Sequence, residues 1–166
     1  ENVSGFQVNI KEYLPVTLSS GRDENLIVHP KPDSEVLFKT TRMDFADLYK
    51  TVQRITPATG LVAVLDVLEA NDTVYAVLEV TQGIPLERYL ALRSGPLLPE
   101  EARSLMQPVM EGVAALHKIG LVHRGVAPDN IRITEGGLAR LGGYATLGLR
   151  NLGSELKAQL YEGYSA

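Results

Sequence analysis

LVHRGVAPDNIRI, residues 121–133, is a polar insert between two apolar runs. Leu121 and Val122 precede it and Ile131 and Ile133 alternate after it, so two short strands bracket a loop. The loop carries His123 and Arg124, then Gly125, and Asn130 five residues beyond that glycine. Polar side chains held at set offsets between strands are the layout of a chemical site on a rigid support. At its centre, directly after the His-Arg pair, stands a residue with no side chain.

Upstream of this loop the pattern is helical. Pro99-Glu100-Glu101 opens a helix, with proline in the first turn and two acids at the positive end of the dipole. Ala102, Leu105, Val109, Val113 and Leu116 form its apolar face, and Pro108 predicts a kink near its middle. Residues 85–93 read as a shorter helix that stops at Ser94-Gly95-Pro96. Earlier still, residues 61–80 (LVAVLDVLEANDTVYAVLEV) read as an antiparallel hairpin around an Asn71-Asp72 turn. Apolar residues at 45, 48, 49, 52 and 55 predict a helix over 44–55. Residues 6–14 alternate as a strand that Pro15 ends, and the polar stretch 16–36 has room for a short strand at LIVH, 26–29. Beyond the loop come short strands in NIRI and LARL, then a glycine-rich, weakly patterned tail from Gly142.

Composition narrows the class. With 166 residues, 45% hydrophobic and 22% charged, the chain is globular and long enough for one domain or two small lobes. A net charge of −4 and the lack of any basic stripe argue against a nucleic-acid surface. There is no cysteine, which excludes thiol catalysis, cysteine-based zinc sites and disulfides within these residues and suits a reducing compartment. The longest apolar runs, such as 61–65 and 74–78, are strand-sized and too short to span a bilayer. His29 and His117 have no metal-ligand spacing. Strands first and helices after predict an α+β chain of two lobes. Residues 1–80 form the sheet-rich one, with one helix, and residues 81–166 the mainly helical one. The connector at 79–83 is where a cleft is expected.

Together these stretches resemble the protein kinase family, bacterial serine/threonine kinase domains in particular. VNIK, residues 8–11, is similar to the V-A-I-K strand. HRGVAPDN, residues 123–130, is similar to H-R-D-x-x-x-x-N and keeps its five-residue spacing. GGY, residues 142–144, stands where the family has D-F-G, twelve residues past Asn130, and YSA, 164–166, looks like the start of A-P-E. The resemblance covers essentially the whole chain, from the third strand of the small lobe to the end of the activation loop. It implies a Gly-rich loop with two strands ahead of residue 1 and further helices after residue 166, so the chain reads as a piece of a longer kinase-like protein.

What the resemblance implies chemically can be followed position by position. The fold transfers phosphoryl groups by positioning and charge. Gly125 takes the place of the aspartate that accepts the substrate proton, so general-base help is gone. Gly142 takes the place of the main Mg²⁺ carboxylate, and Asn130, a neutral amide, remains as a poor metal site by itself. Lys11 remains, but its glutamate partner is replaced by Leu48, three residues after Phe45. Asp47 is no substitute, since one residue turns a helical side chain by about 100°. Leu78, Glu79 and Thr81 fall at the nucleotide side of the connector. Asn9 and Arg132 replace the apolar residues that sandwich adenine, which weakens the usual seat of the ring. Gly143 removes the aromatic of D-F-G, and Tyr144 is placed to fill the gap. His123 is expected to be structural and Asp129 to make a local turn bond.

The expected function is therefore that of a pseudokinase: a catalytically inactive serine/threonine-kinase-like domain serving as a regulatory or protein-binding module. It would use no metal and no cofactor, or bind ATP weakly without Mg²⁺. The expected partner is a protein, with no nucleic acid and no membrane span, in the cytoplasm or tethered by parts outside this chain. The alternative is an active serine/threonine kinase whose acids lie elsewhere, at Asp129, Asp47 or ahead of residue 1. A third reading has the chain folding only with a partner that covers apolar surface.

Overall fold

The computed structural model describes residues 5, 7–55, 60–144 and 148–149. The segment resembling A-P-E lies outside them. The chain divides into two compact units, Glu1–Arg54 with Ala63–Val80 and Ile55–Val62 with Thr81–Ala166.

The first unit is built on a three-stranded antiparallel sheet in the order β1 (Val8–Glu12), β5 (Thr73–Glu79), β4 (Val64–Ala70). The hairpin between β4 and β5 turns at Asn71 and Asp72, whose φ values are 53° and 54°. Two consecutive left-handed residues make the tight turn whose twist matches paired strands, and Asn and Asp tolerate that conformation. Between β1 and the helix, a second hairpin pairs β2 (Ser19–Arg22) with β3 (Val28–Pro30). The sequence showed the second of these strands; the first, SSGR, has no apolar alternation to reveal it.

Helix α1 runs from Glu35 to Ile55 and starts nine residues before its sequence pattern shows it (44 − 35 = 9). The added turns contain Thr40 and Thr41, weak helix formers, and their apolar signal is thin. Tertiary contact supplies what propensity lacks. Phe38 and Thr41 are buried, and Phe38 joins Tyr13, Val28, Ala46 and Val74 in one core, with Leu18, Phe45 and Val67 at its edge. The β2–β3 hairpin thus carries Val28 into the core that the front half of α1 needs.

The second unit holds α2 (Leu86–Ala91) and α3 (Pro99–Lys118), with short strands β6 (Ile84–Pro85), β7 (Leu121–Val122), β8 (Ile131–Ile133), β9 (Ala139–Leu141) and β10 (Gly148–Leu149). β6, β8 and β9 form one antiparallel sheet, and β7 pairs with β10. The Leu98 N–H donates to the Glu101 carboxylate at 2.8 Å, which fastens the start of α3. α3 packs on β7 and β9, and Val109 and Leu116 are buried on its apolar face. The helix continues through Pro108. Gly60 lies against that turn: a Cβ there would stand 1.8 Å from the Pro108 carbonyl oxygen, and φ is +97°. Only glycine allows this approach. Leu61 and Val62 then run beside β9, with the Val62 N–H donating to Leu141 at 2.8 Å.

Candidate functional site

The loop after β7 is organised by a histidine. His123 is 1% exposed. Its Nδ1 accepts the Gly125 N–H at 3.2 Å, and its Nε2 lies 2.8 Å from the Gly142 carbonyl oxygen. A nitrogen that accepts from a backbone N–H carries no proton, so the ring is neutral with its hydrogen on Nε2, donated to Gly142. Burial pushes this imidazole down to about 4, outweighing the opposing pull of the Gly142 carbonyl. Asn130, at the end of the single 3₁₀ turn Pro128–Asn130, donates through Nδ2 to the Gly125 carbonyl at 2.7 Å. Both backbone groups of Gly125 are thus held by side chains, one from each end of the loop. Arg124, between them, sits at φ 57°, a left-handed backbone uncommon outside glycine.

The same frame reaches the segment after β9. The Gly142 N–H donates to the Asn130 carbonyl at 2.8 Å. Gly143 has φ +75°, and a Cβ there would lie 2.3 Å from the Asn130 Oδ1. Tyr144 is 2% exposed, its ring 5.9 Å from that of His123, and its hydroxyl donates to the Val62 carbonyl. The buried ring beside His123 thus comes from Tyr144, and Gly143 itself has no room for a side chain. Arg132, expected beneath a nucleotide, is exposed, and its guanidinium donates to the Gly83 carbonyl at 2.8 Å.

In the first unit, Lys11 lies opposite Ala76 and Asn9 opposite Leu78 in the β1–β5 register. The Glu79 carboxylate accepts the Ala63 N–H at 3.0 Å. Lys11 and Tyr13 share a strand face. Burial lowers the affinity of the Lys11 amine for its proton, and among the described residues no carboxylate pairs with it. On α1, Leu48 is half-buried and Asp47 is exposed, while the neighbouring Tyr49 is buried at 1% exposure. The link between strand and helix is made instead by Tyr13. Its hydroxyl donates to the Phe38 carbonyl at 3.2 Å and shares a hydrogen bond with the Thr41 hydroxyl. Its ring lies 5.7 Å from Phe45, which lies 4.5 Å from Tyr49. Tyr13 and Tyr49 are residues that motif spacing passes over. The signal available was the strand alternation, which sets Tyr13 on the same face as Lys11.

Residues 38–149 match the family described as protein kinase domain. The chain belongs to the protein kinase family. Among curated protein kinases, it is 31% identical over 110 residues to the serine/threonine-protein kinase PrkC of Bacillus subtilis, covering 61% of this chain and 17% of that protein. It is 39% identical over 82 residues to the serine/threonine-protein kinase PknL of Mycobacterium tuberculosis, covering 49% of this chain and 20% of that protein. The chain thus spans a fifth or less of the length of these relatives. A solved structure described as "PpkA-294 apo form" superposes with a TM-score of 0.64 at 26% identity, over 83% of this chain and 49% of that one. The kinase fold of the chain is α+β, with an antiparallel sheet and one long helix in the first unit. Among the described residues no helix is long and apolar enough to cross a membrane, and no group of three or more His, Asp or Glu is placed to hold a metal ion.

Proposed function

We propose that this kinase-family chain is a pseudokinase, a regulatory or protein-binding module that has lost phosphoryl transfer. The observation that carries the reading is the loop at Gly125. Its backbone is held on both sides by His123 and Asn130, so the frame of a catalytic loop is intact, while no carboxylate stands at its centre. Two further losses support it and do not depend on register. Tyr144 fills the buried aromatic place, which allows a D-F-G register one residue later than spacing suggests, yet both Gly142 and Gly143 lack a carboxylate. The helix partner of Lys11 is Leu48 by spacing or Tyr49 by burial, and neither is an acid.

Asn130 spends its amide on Gly125, which leaves one oxygen for a cation, and Mg²⁺ takes carboxylates besides phosphate. Nucleotide, where it binds, is held without metal. The partner is a protein, and the setting is cytoplasmic.

The test is transfer of radiolabel from ATP with Mg²⁺ to the chain itself and to generic protein substrates, using the full-length polypeptide. No transfer above background is the expected result. Turnover that Lys11→Ala abolishes overturns the reading in favour of an active serine/threonine kinase, the activity named for PrkC and PknL. A thermal-shift titration with ATP separates the two further: a Mg²⁺-dependent shift belongs to the enzyme, a metal-independent or absent one to the module.

A further inference from the structure

The β2–β3 hairpin is well made within itself and sparsely fastened to its unit. Its strands set Ser19 opposite Pro30, Gly21 opposite His29 and Arg22 opposite Val28, and the Lys31 N–H closes the base on the Leu18 carbonyl at 2.8 Å. At the tip, the Asp23 carboxylate accepts the Asn25 and Ile27 N–H groups at 2.9 Å each and lies 3.0 Å from the His29 Nε2. Arg22 donates to the Leu26 carbonyl at 2.6 Å. An element with its own ladder and its own folded tip can leave its seat as one body. The seat is small. The Val28 N–H donates to the Asn71 carbonyl at 2.9 Å, and Arg22 reaches Glu12 on β1 and the Tyr75 hydroxyl on β5. Arg22 and Glu12 both stay partly in water, which limits what their pair contributes. Between the strand ends, Val28 is the side chain that enters the core, with Leu18 packed against that core from the hairpin's foot.

Helix α1 is fastened in two halves. In the back half, residues 47–55, Tyr49 and Val52 are buried, Lys50 pairs with Glu69 at 2.7 Å, and Gln53 donates to the Leu65 carbonyl at 2.9 Å. In the front half, residues 35–43, the buried side chains are Phe38 and Thr41, while Val36, Leu37, Lys39, Thr40 and Met43 are exposed. Phe38 lies in the core that Val28 enters, its ring 5.2 Å from that of Tyr13. The front half therefore shares its seat with the hairpin. We propose that the β2–β3 hairpin is a releasable strap, whose lifting lets the front half of α1 unwind while the back half stays on the sheet. When it lifts, Val28 leaves a socket walled by Tyr13, Phe38, Ala46 and Val74. Phe38 then loses the apolar neighbour that offsets the weak helix propensity of Thr40 and Thr41. The strap gives the chain a route by which an event at the hairpin changes a helix at a distance. It deepens the reading of a regulatory module, yet its test is separate, because its readout is amide exchange and not phosphoryl transfer.

The experiment is amide hydrogen exchange on the full-length polypeptide, read by mass spectrometry in peptides that separate the hairpin, the front half and the back half of α1. In the unaltered chain the hairpin and the front half should exchange together, about tenfold or more faster than the back half. Val28→Ala should speed both by a common factor of about ten. Arg22→Gln should speed both by a smaller common factor and leave residues 47–55 at their native rate. Simple fraying of the helix end would leave the front half indifferent to Arg22→Gln. Hairpin and front-half rates that part company in either variant overturn the proposal. So does an Arg22→Gln hairpin that exchanges no faster, or a front half that keeps pace with the back half in the unaltered chain. The last comparison needs no variant, and Arg22→Gln alters a partly exposed pair, so neither depends on Val28→Ala folding.

Discussion

His123 shows how a residue next to lost chemistry keeps a structural task. Its neutral ring bridges Gly125 and Gly142, and both bonds rely on the tautomer with an unprotonated Nδ1. Folded, it resists protonation down to about 4 against an ordinary value of 6.5, while the unfolded chain takes up the proton near that ordinary value. Its contribution is therefore complete above about pH 6.5 and drains away as pH falls toward about 4, up to about 3 kcal/mol in all. Urea midpoints at pH 7 and about pH 5 should differ in that direction, and His123→Gln should flatten the difference. Gly143 supplies a second check at this scale. Gly143→Ala meets a left-handed backbone and the Asn130 side chain together, so a loss of about 2 kcal/mol is expected. In an Asn130→Ala background the loss should shrink, since the overlapping group is gone. Little of this geometry was legible beforehand. The order His, Gly, Asn was plain in the sequence, but which backbone atom each side chain holds depends on how β7, β8 and β9 are brought together.

Helix α1 and the two hairpins show what sets element boundaries. The Asn71-Asp72 turn was readable because turn chemistry is local, whereas the first nine residues of α1 were not, because Phe38 becomes a core residue only once Val28 and Tyr13 arrive. Phe38→Ala should cost about 3–5 kcal/mol. Amide hydrogen exchange should then speed up across Glu35–Ile55 well before it changes in β9. Tyr13→Phe keeps the ring and drops the hydroxyl, so about 1 kcal/mol is expected from the lost bonds to Phe38 and Thr41. Asp72→Gly moves the other way. Glycine suits the second left-handed turn position better than aspartate, and the Arg42–Asp72 pair it removes is exposed and 3.4 Å long, so a gain of about 0.5 kcal/mol in a thermal melt is expected.

At the scale of the whole molecule, the α+β class and the kinase family were legible from element order and from HRGVAPDN. Local periodicity and spacing carry topology even where individual residues have changed. The state of the site was legible only in part, since glycine announces a missing acid but says nothing of what replaces it. Tyr13 does the strand-to-helix work without ion pairing, and Tyr144 fills the space beside His123. Under the pseudokinase reading, reversing one loss restores nothing. Gly125→Asp with Gly142→Asp still leaves α1 without an acid for Lys11, so radiolabel transfer should stay at background until Leu48 or Tyr49 is also made glutamate.

The row of rings from Tyr13 through Phe45 to Tyr49 also gives the protein an optical clock. The chain has seven tyrosines and no tryptophan, so its near-ultraviolet absorbance is tyrosine absorbance. Burial raises the phenols of both Tyr13 and Tyr49, most strongly at Tyr49. Exposed phenols ionise as alkali is added, but these two wait for α1 to lift from the sheet. With Tyr144, the buried tyrosine of the other unit, changed to phenylalanine, the slow phase at the phenolate wavelength after a jump to alkaline pH should time the parting of helix from strand without any label.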